Sequence, residues 1–242
     1  MRTIGLLGGM SWESTAEYYR IINQTVRDRM GPLRSAPVLL LSLDFGPVEQ
    51  TQREGRWAEA GAILGDAARR LQAGGAECLV LCTNTMHRVA DDIQAACPLP
   101  FLHIADAVGT DAARRGHRTL GLLGTRHTMN QSFWKDRLFR DYGLTAIVPG
   151  SATQDQLHDI IYGELCVGLV REASRAVYQQ AIADLAAQGA EAVILGCTEI
   201  SLLVRPTDTP VPLLDTTVLH AKWAAEFSMA RSGKLSAPEE RS

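Results

Sequence analysis

Two segments of this sequence carry side chains able to move protons, and each closes an apolar run. The first is Cys82-Thr83-Asn84-Thr85-Met86-His87, after Gly75-Ala76-Glu77-Cys78-Leu79-Val80-Leu81. The second is Gly196-Cys197-Thr198-Glu199, after Gly189-Ala190-Glu191-Ala192-Val193-Ile194-Leu195. Aligned, Thr83 is the counterpart of Cys197, and Asn84-Thr85 are the counterparts of Thr198-Glu199. A thiol, with a reference pKa of about 8.5, becomes a usable acid or base once neighbouring N–H groups or positive charge shift it. A threonine hydroxyl is a far weaker acid and serves better as a proton donor or relay. Paired loops of small polar side chains can hold a small polar molecule from two sides, which suits chemistry at a prochiral centre approached from opposite faces.

Glycine loops add an anion-binding element. Gly8-Gly9-Met10-Ser11 and Gly124-Thr125-Arg126-His127-Thr128 each follow a strand-like run and open a helix, where backbone N–H groups can receive a carboxylate. Neither loop contains the G-x-G-x-x-G of a dinucleotide site, Asp44 lies too far along to be its ribose-binding acid, and no Walker A pattern occurs. Cys78 and Cys82 lack a second Cys/His pair at ligand spacing, so no metal site is expected.

The elements that position these groups follow from an internal repeat. Arg2-Thr3-Ile4-Gly5-Leu6-Leu7-Gly8 returns as Arg118-Thr119-Leu120-Gly121-Leu122-Leu123-Gly124, and Pro100-Phe101-Leu102 as Pro212-Leu213-Leu214. From Arg2 to Arg118, Thr83 to Cys197 and Pro100 to Pro212 the offsets are 116, 114 and 112 residues. A nearly constant spacing, in order, indicates duplication. Short apolar runs predict strands over 3–7, 38–43, 78–82 and 101–104, then 119–123, 144–148, 191–195 and 211–214, of the kind buried on both faces of a parallel sheet. Helical patterns at 12–29, 56–73 and 216–230 include stops at Gly31-Pro32 and Gly74-Gly75. The expected fold is α/β: two pseudo-two-fold-related lobes, each a four-stranded parallel sheet flanked by helices, with the active site in the interlobe cleft. The expected boundaries are 1–103 plus about 215–231 for the first lobe, 104–214 for the second, and a flexible tail at 232–242.

Composition narrows the function classes. The chain has 242 residues, 46% hydrophobic and 21% charged, with 24 Lys+Arg against 27 Asp+Glu and a net charge of −3. That balance lacks the basic footprint of a nucleic-acid binder, and no apolar run is long enough to span a membrane. The chain enters its first strand without a signal-like apolar region, and its 5 cysteines form no dense framework. A cytoplasmic protein with free thiols is expected. Cys82 reads as a buried residue turned to the far side of its strand, Cys97 and Cys166 as packing or surface thiols, and His103 as a hydrogen-bonded structural histidine. Trp12, Tyr18 and Tyr19 read as core or interface.

Taken together, Gly-Gly-Met-Ser at 8–11 (within Leu-Leu-Gly-Gly-Met-Ser-Trp-Glu-Ser at 6–14), Thr-Asn-Thr-x-His at 83–87 and Gly-Cys-Thr-Glu at 196–199 resemble the aspartate/glutamate racemase superfamily, in its bacterial broad amino-acid branch. The resemblance covers nearly the whole chain, duplication included. It implies cofactor-independent racemisation, in which one thiol removes the α-proton of an amino acid and a second thiol returns a proton to the other face. No pyridoxal-type site can be argued, because none of the three lysines (Lys135, Lys222 and Lys234) lies at a strand end. A helix N-terminus after each strand would bias the thiols toward thiolate.

By the same resemblance the catalytic positions are Thr83 and Cys197, with threonine standing where the family has its first cysteine. The substrate contacts are Met10, Ser11, Gln52, Arg53, Asn84, Thr85, Thr125, Thr128, Thr198 and Glu199. Asn84 and Thr198 would hold the α-carboxylate and Glu199 the α-ammonium; Arg53 or Arg126 would take a side-chain carboxylate. His87 is a candidate relay for Thr83. Aspartate-specific relatives place a lysine near 163–166, where this chain reads Gly-Glu-Leu-Cys, so use of other amino acids is open. The pair predicts an asymmetric racemase favouring L-substrates and, from the family, a homodimer. Two alternatives stand: a single-cysteine decarboxylase or cis-diacid isomerase of the same superfamily, and an amino-acid-binding module without turnover.

Overall fold

The computed structural model describes residues 1–230; the tail expected at 232–242 lies outside the described residues. The chain forms two compact units, one of Met1–Cys82, Asp91–Leu102 and the chain from Ala221 on, the other of Thr83–Ala90 and His103–His220. The segment Thr83–Ala90 thus groups with the second unit, whereas a boundary at residue 103 places it with the first.

From the start of the chain the elements are β1 (Ile4–Gly8), α1 (Trp12–Met30), β2 (Val38–Ser42), α2 (Phe45–Arg53), α3 (Trp57–Ala73) and β3 (Cys78–Leu81). A 3-10 turn at Thr85–Val89 leads into α4 (Ala90–Ala96), β4 (Phe101–Leu102) and α5 (Ile104–Arg114). Then come β5 (Thr119–Leu123), α6 (Arg126–Asn130), α7 (Ser132–Tyr142), β6 (Thr145–Ile147), α8 (Ser151–Gly163) and α9 (Glu172–Ala187). The last elements are β7 (Ala192–Leu195), α10 (Ile200–Leu203), β8 (Leu213–Asp215) and α11 (Thr216–Met229). Each apolar run expected as a strand is one, trimmed or shifted at its ends.

The two sheets are parallel and four-stranded, in the orders β2-β1-β3-β4 and β6-β5-β7-β8. Shifting the second set by four strand numbers gives the first, so the repeated sequence folds into a repeated topology. One side chain shows why the Gly-Ala-Glu segment recurs. The Glu77 carboxylate accepts from the Thr3 N–H at 2.7 Å while the Glu77 N–H donates to the Thr3 carbonyl at 2.8 Å. Glu191 does the same to Thr119, at 3.0 and 2.9 Å. Each glutamate pins the start of its central strand.

Burial follows strand position. β1, β3 and β7 are buried along their whole length and β5 beyond Thr119, whereas β2 and β6, with one neighbour each, are partly exposed. Burial on both faces therefore holds for the central strands only. Leu6, Leu7, Val80 and Leu81 in one sheet and Leu122, Leu123, Ile194 and Leu195 in the other are almost wholly removed from water, each stabilising by roughly 1.5–3 kcal/mol. Tyr18 joins the core, while Trp12 and Tyr19 of the same helix are exposed. No helix among the described residues is long and apolar enough to cross a membrane.

The turn out of β1 depends on Gly9. Its φ is +92°, and a Cβ there would lie 2.2 Å from the Leu43 carbonyl oxygen. Gly9→Ala is expected to cost about 2 kcal/mol or more, from left-handed strain plus displacement of that carbonyl. An unchanged urea midpoint would refute the close approach.

Candidate active site

β7 delivers Cys197 two residues beyond its last pairing position. The Gly196 N–H donates to the Leu123 carbonyl at 2.7 Å, which anchors the turn to β5. Cys197 is partly buried against a core cluster that includes Leu195, Ile200 and Tyr178. Its thiol donates to Glu199 Oε2 at 2.8 Å, and the Thr198 hydroxyl donates to the same oxygen at 3.1 Å. Burial pushes the Cys197 thiol well up, and the Glu199 carboxylate, by charge and by hydrogen bond, pushes it further. The expected bias toward thiolate is therefore reversed in the unliganded protein. The physical reason is local: α10 has only four residues, and the carboxylate beside the sulfur opposes a second negative charge.

Thr83 is half-buried, and its carbonyl accepts from His87 Nδ1 at 2.7 Å. His87 Nε2 in turn accepts from the Ile104 N–H at 3.1 Å. Because a carbonyl only accepts and an N–H only donates, this ring carries its proton on Nδ1 and both nitrogens are committed to backbone. His87 is a buried brace between the Thr83 turn and α5; the expected relay to the Thr83 hydroxyl is not made. His103 begins α5, where its Nδ1 accepts from the Ala105 N–H at 3.1 Å, as a structural histidine should. The rings of His87 and His103 lie 4.5 Å apart, and His220 lies 5.7 Å from His87. Burial holds His87 well below the ordinary histidine value, helped by His103, His220 and Arg137. His103 is lowered to about 2, by burial first and then by Arg137, His220 and Arg140. Arg137 is itself paired with Asp106 at 2.7 Å.

Asn84 is buried in the same turn. Its Nδ2 donates to Thr216 Oγ1 at 3.0 Å, and the Thr216 hydroxyl donates to the Leu195 carbonyl at 2.9 Å. With the threonine hydrogen spent on that carbonyl, the threonine oxygen can only accept, so the amide orientation of Asn84 is fixed. What remains is Asn84 Oδ1, buried and without a partner. The side chain offers this oxygen as an acceptor, while one of its two amide N–H groups is spent on Thr216. Thr85 is half-buried in the same turn.

The remaining candidates divide between the units. In the second, Thr125 caps α6 by accepting from the Thr128 N–H, and the two hydroxyls, both buried, lie 3.3 Å apart. In the first, Ser11 caps α1 by accepting from the Ser14 N–H, Met10 and Gln52 are buried, and Asp44 caps α2 through the Gly46 N–H. Arg53 and Arg126 are exposed, paired with Glu49 at 3.1 Å and Asp155 at 2.7 Å. Cys82 is fully buried with its thiol pushed up by desolvation, Cys78 is pushed up to about 12 by the same cause, Cys97 is buried and Cys166 exposed.

Sequence reasoning missed Thr216 and Asp215. Asp215 Oδ1 accepts from the Thr217 and Val218 N–H groups at 2.9 and 3.0 Å, capping α11. The repeat held the signal: at an offset of 112 residues, Asp215 is the counterpart of His103, and both cap the helix after their strand.

A racemase-type enzyme is what this doubled α/β fold and its thiol-bearing strand end define. The Asp/Glu/Hydantoin racemase family model matches residues 7–224. The chain belongs to that family and is an isomerase of the racemase class. Among solved structures it is similar to a Yersinia pestis protein assigned as an Asp/Glu racemase, with 49% identity, a TM-score of 0.91 and coverage of 95% of this chain and 100% of that one. An aspartate racemase homologue from Pyrococcus horikoshii OT3 shows 31% identity, a TM-score of 0.84 and the same coverages. The broad specificity amino-acid racemase RacX of Bacillus subtilis is 21% identical over 157 residues, 65% of this chain and 67% of that protein.

Two measurements check this electrostatic picture. Glu199→Gln removes the charge holding the thiol up, so the pH midpoint for alkylation of Cys197, followed by peptide mass spectrometry, is expected to fall by about one unit or more; an unmoved midpoint refutes the pairing. The histidines give the second. Unfolded histidines protonate near pH 6.5, whereas folded His87 and His103 stay neutral far below it. The unfolded chain therefore binds more protons as the pH falls, and stability drops below about pH 6.5 by up to about 1.4 kcal/mol per pH unit for each histidine. His103→Asn keeps an acceptor for the Ala105 N–H, and in urea unfolding its stability is expected to fall less steeply with acid.

Proposed function

We propose that this enzyme racemises amino acids without a cofactor, acting on aspartate, glutamate or related amino acids, with Cys197 as the base toward L-substrates and Thr83 on the opposite side. The single observation that carries this reading is the Cys197 thiol directed at the Glu199 carboxylate, 2.8 Å away. An α-ammonium arriving at Glu199 supplies the positive charge that lets the thiol proton leave to water, so substrate binding itself activates the base. Cys197 then takes the α-proton of the L-amino acid and ends as the thiol, and the planar intermediate is protonated from the other side by the Thr83 hydroxyl, whose oxygen regains through water the proton that the thiol gave up. The free Asn84 Oδ1 supports the same polarity, as a second acceptor for the ammonium.

In this reading a threonine stands where the family pattern has its first thiol. Threonine returns a proton well and abstracts one poorly, so α-proton exchange is faster from L- than from D-substrates. The equilibrium constant is unaffected, and the Michaelis constants must compensate. Broad substrate use is supported by the surface pairing of Arg53 and Arg126, which leaves neither as a dedicated side-chain carboxylate clamp, and by the likeness to RacX.

The test is α-proton exchange in deuterium oxide across L- and D-amino acids, read by NMR. Exchange is expected from L-substrates at least about ten-fold faster than from D, and its abolition by Cys197→Ala. Equal rates would remove the asymmetry. Release of CO₂ from an arylmalonate without amino-acid exchange, or tight amino-acid binding unaltered by Cys197→Ala without turnover, would replace the reading. Thr83→Cys is expected to raise the D-to-L rate; no change would mean that Thr83 does not occupy the second proton-transfer position.

A further inference from the structure

Thr216 is fully buried at the start of α11, and that helix does not need its hydroxyl. The free N–H groups of Thr217 and Val218 are already capped by Asp215. The hydroxyl points instead toward the ends of the strands, donating to the Leu195 carbonyl at 2.9 Å and accepting from Asn84 Nδ2 at 3.0 Å. The Leu195 carbonyl and the Gly196 N–H belong to one peptide unit, the one preceding the Gly196–Cys197 peptide, and the Gly196 N–H is held by the Leu123 carbonyl at 2.7 Å. That peptide is thus fastened at both ends, by a strand on one side and by Thr216 on the other. The same oxygen fixes the Asn84 amide so that its unpartnered Oδ1 is the pole left over. One buried hydroxyl therefore sets two things at once: the Leu195–Gly196 peptide plane from which the turn to Cys197 starts, and which end of Asn84 is offered to a ligand.

We infer that Thr216 is a positioning residue for the racemase reaction, locking the Leu195–Gly196 peptide and presenting Asn84 Oδ1 as an acceptor for the substrate ammonium. The inference rests on the function proposed above. Thr216 touches no substrate; it acts through Asn84 and through the turn at Gly196.

The experiment measures α-proton exchange from L-substrate in deuterium oxide for the full chain and five variants, Asn84→Ala alone among them. Thr216→Val keeps the shape and deletes the hydroxyl, and is expected to lower kcat/KM at least ten-fold. Thr216→Ser restores the hydroxyl and is expected to stay within two-fold of the unmodified protein. Ser228→Ala is the stability control, because it removes another fully buried hydroxyl that donates to a carbonyl, that of Arg2 at 2.6 Å; it is expected to leave exchange unchanged. In an Asn84→Ala background, adding Thr216→Val is expected to cost less than it does in the unmodified protein, because only the contribution through the turn at Gly196 is left to lose.

Full exchange by Thr216→Val overturns the inference. So does a Thr216→Ser variant as impaired as Thr216→Val, which would assign the role to methyl packing. Losses in Ser228→Ala equal to those in Thr216→Val would mean general destabilisation, and multiplicative losses in the Asn84 background would mean that Thr216 does not act through Asn84. Absence of exchange by the unmodified protein on every amino acid tried is a different result: it removes the racemase reading itself, and the inference with it.

Discussion

A parallel strand that ends inside a protein leaves peptide groups that no neighbouring strand completes, and each must find a partner or cost stability. In this chain the partners are side chains at the strand-to-helix turns. Ser11 and Thr125 cap the helices after the first strand of each half, His103 and Asp215 those after the fourth, and Thr216 takes the Leu195 carbonyl. Short polar residues are thereby forced to the C-terminal ends of the strands. The groups suited to chemistry stand at those ends as well, so the requirement for satisfied backbone and the requirement for a polar site are met by one set of residues.

Charge at the thiol follows from that setting. Cys197 sits on a turn packed against Leu195, Ile200 and Tyr178, a dry environment that already disfavours thiolate. Glu199 two residues on adds a negative charge at hydrogen-bonding distance. The thiol is consequently held toward its protonated form and oriented by the Glu199 carboxylate. The histidines beside Thr83 obey the same rule with the opposite sign, since burial favours their neutral form. That neutrality fixes which nitrogen of His87 carries the proton, and so lets the ring brace the Thr83 turn.

Much of this was legible in the residues. The repeat from Arg2 to Arg118 and from Glu77 to Glu191 specified two units of one topology, because the repeated residues do the same mechanical work in each. Long helices such as α1 and α3 were readable from apolar periodicity and glycine stops. Strand burial was legible for the central strands and overstated for β2, since an apolar run does not say whether a strand has one neighbour or two. The positions of Thr83 and Cys197 at strand ends could be read off directly; the roles of their neighbours could not. His87 looks like a proton relay in the sequence and has its two ring nitrogens on backbone groups, and the sequence does not say that Asn84 spends an N–H on Thr216.

What the sequence determined by itself is the class of fold and the identity of the groups able to carry protons, because hydrophobic periodicity and residue chemistry are local properties. What only the tertiary structure decided is how those groups are polarised. Which end of an amide is held and which histidine nitrogen holds the proton depend on partners far along the chain, and how far the thiol is raised depends on its burial beside Glu199. Thr216 lies 132 residues from Asn84, and Ile104 lies 17 from His87. A donor hydrogen goes to one partner: once a distant group takes it, the residue type no longer says what remains.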